Sequence, residues 1–201
     1  MARSLCNVCN FALNSCVCAA VSLLNNHVKV IILQHPSEQK VTKNTAKLLP
    51  LSLTNCQIIH GESEADFTQL NSLPSRSTVL LYPHQHAIFL DDKPALSALE
   101  PITHLIVIDG TWKKAYKILQ LTPLLQQFTA VSFKQLPKNK YAIRKAPRAD
   151  SLSTLEAIAH SLQLIEGLNP APLYALLDAL IDKQTALMPP HVKARYFAPN
   201  E

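Results

Sequence analysis

The chain has 201 residues, 48% of them apolar and 16% charged, with a formal charge of +5 at neutral pH. That composition describes one hydrophobic core with room for a small appendage and excludes a disordered chain. No apolar run is long enough to cross a bilayer, and three scattered glycines exclude the glycine-rich dinucleotide and phosphate-binding fingerprints. The basic excess permits a nucleic-acid partner without demanding one, since where charge sits matters more than its sum.

Four of the five cysteines fall in the first 25 residues, which lack regular periodicity. Cys6-Asn7-Val8-Cys9 and Cys16-Val17-Cys18 make two close-spaced pairs, a pattern suited to tetrahedral Zn²⁺. A disulfide pair needs an oxidising compartment, and a redox pair needs a strand-then-helix context absent here. Four thiolates leave no open coordination position, so the expected zinc is structural. Leu13-Asn14-Ser15-Cys16 has the outline of a lipoprotein processing site, but Asn7, Asn10 and the flanking cysteines interrupt the apolar stretch such a signal requires. The expectation is a cytoplasmic protein with a zinc module at 1–25 and one further domain over 26–201.

A β/α alternation begins after residue 25. Val28–Leu33, Cys56–His60, Thr78–Tyr82, His104–Asp109 and Ala130–Phe133 are short, β-branched and apolar, as strands buried on both faces are. Helices are expected at Asn44–Leu49 (ended by Pro50), Glu64–Leu70, Pro94–Leu99 and Trp112–Leu121, the last with Trp112, Tyr116 and Leu119 on one face. Two longer helices are expected over Ser151–Glu166 and Pro170–Leu187. Pro137–Asp150 is polar and basic, carrying Lys138, Lys140, Arg144, Lys145 and Arg148, and reads as a functional loop. Cys56 reads as a core residue, and His84 and His86 as surface histidines lacking a third ligand.

The stretch with most chemistry is Thr103–Ala115: an apolar strand ends at Asp109, passes through Gly110-Thr111 and enters a helix at Trp112, the chain's single tryptophan. In open α/β sheets ligands bind at the carboxyl ends of strands, which makes Asp109 a candidate general base; an acid placed against a helix dipole is the simpler alternative. Tyr82-Pro83, at the end of another strand, could wall an adenine ring. Leu152-Ser153-Thr154-Leu155-Glu156 contains a capping box, Ser153 with Glu156, at a helix start that could also meet an anion. Asn44 or Thr45 could cap the helix after His35-Pro36, and Lys40, Lys43 and Lys47 there, like Lys113, Lys114 and Lys117 later, form basic faces.

In this order, Cys6/Cys9/Cys16/Cys18, His35-Pro36…Glu38…Asn44-Thr45-Ala46, Tyr82-Pro83, Asp109-Gly110-Thr111-Trp112, Tyr141…Arg144-Lys145 and Leu152–Ala157 resemble the DTW-domain family, the tRNA-uridine aminocarboxypropyltransferases. The likeness runs from the first cysteine to about residue 166; the basic residue often found early in the helix after His35 has no clear match among Val41, Thr42 and Lys43. The resemblance implies a SPOUT-like α/β fold, a mostly parallel sheet with flanking helices and a C-terminal trefoil knot. It implies transfer of the 3-amino-3-carboxypropyl group from S-adenosylmethionine to N3 of a tRNA uridine, position 47 in bacterial members, with methylthioadenosine released. Asp109 would be the base, its pKa raised by partial desolvation. Tyr82, Pro83, Asp109, Gly110, Thr111, Trp112, Leu152, Ser153, Thr154 and Glu156 would hold the donor. Lys43, Lys113, Lys114, Lys117, Lys140, Arg144, Lys145 and Arg148 would contact tRNA phosphates. No membrane and no obligate protein partner are expected. A SPOUT-type RNA methyltransferase and a non-catalytic zinc-containing RNA-binding protein are the alternatives.

Overall fold

Lys29–Gln34 is apolar and largely β-branched through its interior, and it forms β1, buried from Val30 onward. In the structure, a computed structural model that describes residues 4–137, 139–141, 152–186, 188, 189 and 191, five more strands join it. These are β2 (Cys56–His60), β3 (Thr78–Leu81), β4 (Ile88–Phe89), β5 (His104–Asp109) and β6 (Thr129–Ser132). The sheet order is β2-β1-β5-β3-β6-β4 and every pairing is parallel. The apolar pattern locates β2 and β5 to the residue and the other expected strands to within a residue or so at their ends. It gives no sign of β4, whose two residues are too few to show a period.

Strand alternation divides the core into two layers. Val30, Ile32, Leu105 and Val107 face one side, where α4 (Thr154–Glu166) and α5 (Ala171–Thr185) pack through Leu155, Ile158, Leu173 and Leu176. Cys9, Phe11 and Val17 of the N-terminal segment are buried in this same layer. Ile31, Leu33 and Ile106 face the other side, covered by α3 (Trp112–Leu121) through Ile118 and by a 3-10 segment, Glu64–Ser72, through Phe67 and Leu70.

Three local expectations change. Pro50 does not end a helix over 44–49; it sits in the first turn of α1 (Leu49–Ser52), where its missing N–H costs nothing, and a 3-10 turn, Ala46–Leu48, precedes it. The long helices begin three residues and one residue later than expected and end near where expected, Gly167 closing α4 in the left-handed region at φ 71°. The face of α3 is the larger correction. Ala115 and Ile118 are buried, while Trp112 is 45% and Tyr116 57% exposed. The small Ala115 lets the helix approach the sheet, and the two large rings are turned to solvent. The weak helix expected at Pro94–Leu99 is α2 (Lys93–Ser97), capped by Asp92. Lys138, Arg144, Lys145 and Arg148 of the basic loop lie outside the described residues.

The connections make one strand boundary special. From β1 the chain moves outward to β2, whereas from β5 it moves the opposite way, through α3, past β3 to β6. The carboxyl ends of β1 and β5 are therefore a topological switch point, where diverging loops leave a crevice. Gln34 and Asp109, the last residues of the two strands, are direct register partners there. At the neighbouring end of β2, Gly61 is required by crowding: a Cβ would lie 2.3 Å from the Asp66 Cβ and 2.9 Å from the Phe67 ring. Gly61→Ala is therefore expected to destabilise the fold by about 1–3 kcal/mol, measured by urea denaturation, because Asp66 and Phe67 must both move.

Candidate active site and metal centre

Asp109 is 4% exposed and faces the α4 side of the sheet. Its Oδ2 accepts hydrogen bonds from Gln34 Nε2 at 2.8 Å and Asn44 Nδ2 at 2.7 Å, and its Oδ1 accepts one from the Thr154 hydroxyl. The donors come from β1, from the segment after β1 and from the first turn of α4, so one carboxylate ties three elements together. All three donors are neutral. No lysine, arginine or histidine pairs with Asp109 among the described residues. A buried carboxylate with no cation beside it keeps its negative field at the sheet edge, and a cationic ligand is the natural complement.

The start of α4 is already occupied by its own cap. Ser153 Oγ accepts from the Glu156 N–H, and Glu156 Oε2 accepts from the Ser153 N–H at 2.9 Å. The Leu155 N–H donates to Thr45 Oγ1. Glu156, 1% exposed, also accepts through Oε1 from the Lys140 and Tyr141 N–H groups at 2.6 and 3.3 Å. These groups hold the 139–141 segment against the helix, and the Tyr141 hydroxyl donates to the Lys43 carbonyl. Leu152 and Ser153 thus directly precede the residue that bonds Asp109, with the first-turn amides of Leu155 and Glu156 already bonded.

Tyr82, Trp112 and Tyr116 gather on the opposite side of the sheet from Asp109. Tyr82 packs against the layer containing Leu80, Ile106 and Ile118, and its ring meets Trp112 edge-on with centroids 6.4 Å apart. Burial, and next the nearby Tyr116, raise the Tyr82 phenol above its ordinary pKa. Pro83 is exposed, and Gly110 and Thr111 bridge the two sides, Thr111 capping α3 through the Lys114 N–H.

The expected basic face of α3 is divided. Lys114 Nζ pairs with the buried Glu38 at 2.7 Å, and Lys117 Nζ pairs with Glu62 at 2.8 Å. Glu62 also meets His35 Nε2 at 2.6 Å, and Lys117 first, then His35, hold its carboxyl below the usual range. Lys113 is exposed. Lys140 lies over the Tyr174 ring, 4.9 Å from its centroid, and Lys43 is half-buried.

The four N-terminal cysteines converge: their sulfurs all lie within 4.8 Å of one another, the one such cluster of potential metal ligands among the described residues. The first pair is shaped by a tight turn in which the Asn10 N–H donates to the Cys6 carbonyl and Asn10 takes φ 56°, a conformation asparagine tolerates. That turn aims the Cys9 and Val8 N–H groups at Cys6, which lowers its thiol to about 6, a thiolate-favouring setting that suits a metal ligand. Cys18, surrounded by the other sulfurs, is raised to about 12. Lys47 lies over the Phe11 ring at 3.7 Å, and burial lowers its ammonium below the ordinary lysine range, with the nearby Cys9 acting against that shift. Cys56 stands apart in β2, its thiol pushed up to about 12 by burial. His84 and His86 are exposed and belong to no such cluster.

Sequence reasoning did not single out Gln34, although a polar residue ending a buried apolar strand was a visible signal. Asn44 was read as a cap, and its Oδ1 does accept the Ala46 N–H. Its bond to Asp109 spans 65 residues and has no local signature.

A wholly parallel sheet with Asp109 buried at its switch point places the chain in the open α/β class, in which ligands bind at the carboxyl ends of the strands. Residues 3–185 match the DTW domain, and the chain belongs to that family. It is 32% identical over 175 residues to a Drosophila melanogaster protein named tRNA-uridine aminocarboxypropyltransferase 2, covering 82% of this chain and 68% of that protein. It is 31% identical to a Macaca fascicularis protein of the same name, covering 83% of this chain and 58% of that one. An Arabidopsis thaliana tRNA-uridine aminocarboxypropyltransferase A is 26% identical, with 82% and 73% covered. The chain thus spans between 58% and 73% of the length of these relatives. No solved structure matches it.

Two outcomes follow from this geometry. Thr154→Val removes the donor on Oδ1 and is expected to destabilise the protein by about 1–3 kcal/mol in chemical denaturation. Elemental analysis is expected to find one zinc ion per chain, and Cys9→Ser to lose it together with several degrees of melting temperature.

Proposed function

We propose that this protein transfers the 3-amino-3-carboxypropyl group of S-adenosylmethionine to N3 of a uridine in tRNA, at position 47, in the cytoplasm. The observation that carries the reading is the uncompensated Asp109 carboxylate at the β1/β5 switch point, read together with the names of the relatives. A sulfonium donor carries the positive charge that this edge lacks, so the residues present fit it. Donor contacts are assigned to Asp109, Gly110, Thr111, Leu152, Ser153 and Thr154.

The donor supplies an activated carbon–sulfur bond whose cleavage toward N3 releases methylthioadenosine. Asp109 does two things in this scheme. Its field favours the cationic donor, and Oδ1, engaged by a single donor, keeps a lone pair able to accept the N3 proton. Gln34 and Asn44 fix the carboxylate from behind so that Oδ1 stays at the edge. Lys113 and Lys140, with Arg144, Lys145 and Arg148 of the basic loop, would meet phosphates. Zn²⁺ on Cys6, Cys9, Cys16 and Cys18 would be structural, bracing the layer that holds α5. The fold is read as SPOUT-like with a C-terminal knot. In support of the SPOUT-like part, the sheet is parallel throughout with helices packed on both faces.

The test is donor labelled separately in its methyl and carboxyl carbons, incubated with tRNA transcript. Carboxyl label is expected in the tRNA and methyl label in the released nucleoside; methyl label in the tRNA would instead make the protein a methyltransferase. Asp109→Asn is expected to lower the rate by about 10²-fold or more while the protein stays folded by circular dichroism.

A further inference from the structure

Nothing in the fold explains why Trp112 and Tyr116 are exposed. They sit four residues apart, hence on one face of α3, and Tyr82 meets Trp112 edge-on at the helix start. The core beneath is completed by Ala115 and Ile118. The rings do not share the side of the sheet that Asp109 faces, because strand alternation sends Tyr82 and Asp109 to opposite sides. Yet Trp112 is only three residues along the chain from Asp109, at the same carboxyl edge of the sheet.

We propose that Trp112 and Tyr116, flanked by Tyr82, form a stacking platform for unpaired bases of the tRNA substrate, next to the Asp109 pocket. The proposal rests on the transferase reading above and adds where the RNA strand lies. Chemistry favours RNA over a protein partner. The exposed rings are interleaved with lysines: Lys113, which no ion pair engages among the described residues, and Lys117, whose side chain stays more than half exposed although its Nζ pairs with Glu62. Aromatic faces alternating with cations match a single strand, whose bases stack while its phosphates seek positive charge. An N3 edge buried in Watson–Crick pairing cannot react, so the target uridine must be unpaired, and a platform beside the pocket would hold its stacked neighbours.

Because Trp112 is the chain's single tryptophan, its fluorescence reports on this site alone when excited at the red edge of indole absorption. Unmodified tRNA and a short oligouridine are expected to quench it, whereas a blunt RNA duplex quenches little. Tyr116→Ala is expected to bind tRNA about tenfold more weakly in filter retention, with Tyr116→Phe near normal. Both variants should keep the wild-type affinity for S-adenosylmethionine. Full-affinity tRNA binding without quenching, or equal tRNA affinity for Tyr116→Ala, would overturn the platform and leave the transferase reading intact. Quenching by S-adenosylmethionine alone, with none added by RNA, would also overturn it, by making the rings the donor's seat. Failure of the wild-type protein to bind tRNA at all would overturn both, so the two failures are distinguishable.

Discussion

A carboxylate taken out of water is costly unless donors surround it, and Asp109 is surrounded by three. Those donors belong to β1, to the segment leading into α1 and to α4, so satisfying one charge fixes how the two ends of the chain meet at the sheet edge. Because each donor is neutral, the bonds steady the carboxylate without cancelling its charge. The result is a preorganised negative site, rigid on its protein side and open in its electrostatic demand.

The rest of the architecture serves that point. Two apolar layers hold the parallel strands, and the cysteine cluster joins the same layer as α4 and α5 through Cys9, Phe11 and Val17. The capping box of α4 is completed by Glu156, which also binds the 139–141 segment, so the helix start is fixed in place beside Asp109. On the other layer the ion pairs Lys114–Glu38 and Lys117–Glu62 fasten α3 to the loops after β1 and β2. The division of labour is clear: one side of the sheet holds the buried charge, and the other exposes aromatic rings.

Much of this was legible in the chain itself. His104–Asp109 has an unbroken apolar interior between polar ends, which is how a doubly covered parallel strand is written, whereas Cys56–His60, with Gln57 and His60 polar, is the partly buried edge strand β2. Ser153 and Glu156 announced the start of α4, and Gly167 its end. The cysteine spacing announced a convergent thiol cluster. What escaped depends on tertiary neighbours. The Gln34–Asp109 pairing is a matter of strand register, and Asn44 reaches Asp109 only because the sheet brings β1 and β5 together. The outward face of α3 escaped because large aromatic residues usually seek cover, and only packing reveals that Ala115 and Ile118 leave them none.

The central proposal is electrostatic: that Asp109 receives a cationic donor. Titration calorimetry of S-adenosylmethionine against its uncharged thioether counterpart, S-adenosylhomocysteine, tests it without turnover. The wild-type protein is expected to prefer the sulfonium by about tenfold or more, and Asp109→Asn to erase most of that preference. An unchanged preference in a folded Asp109→Asn protein would contradict the account.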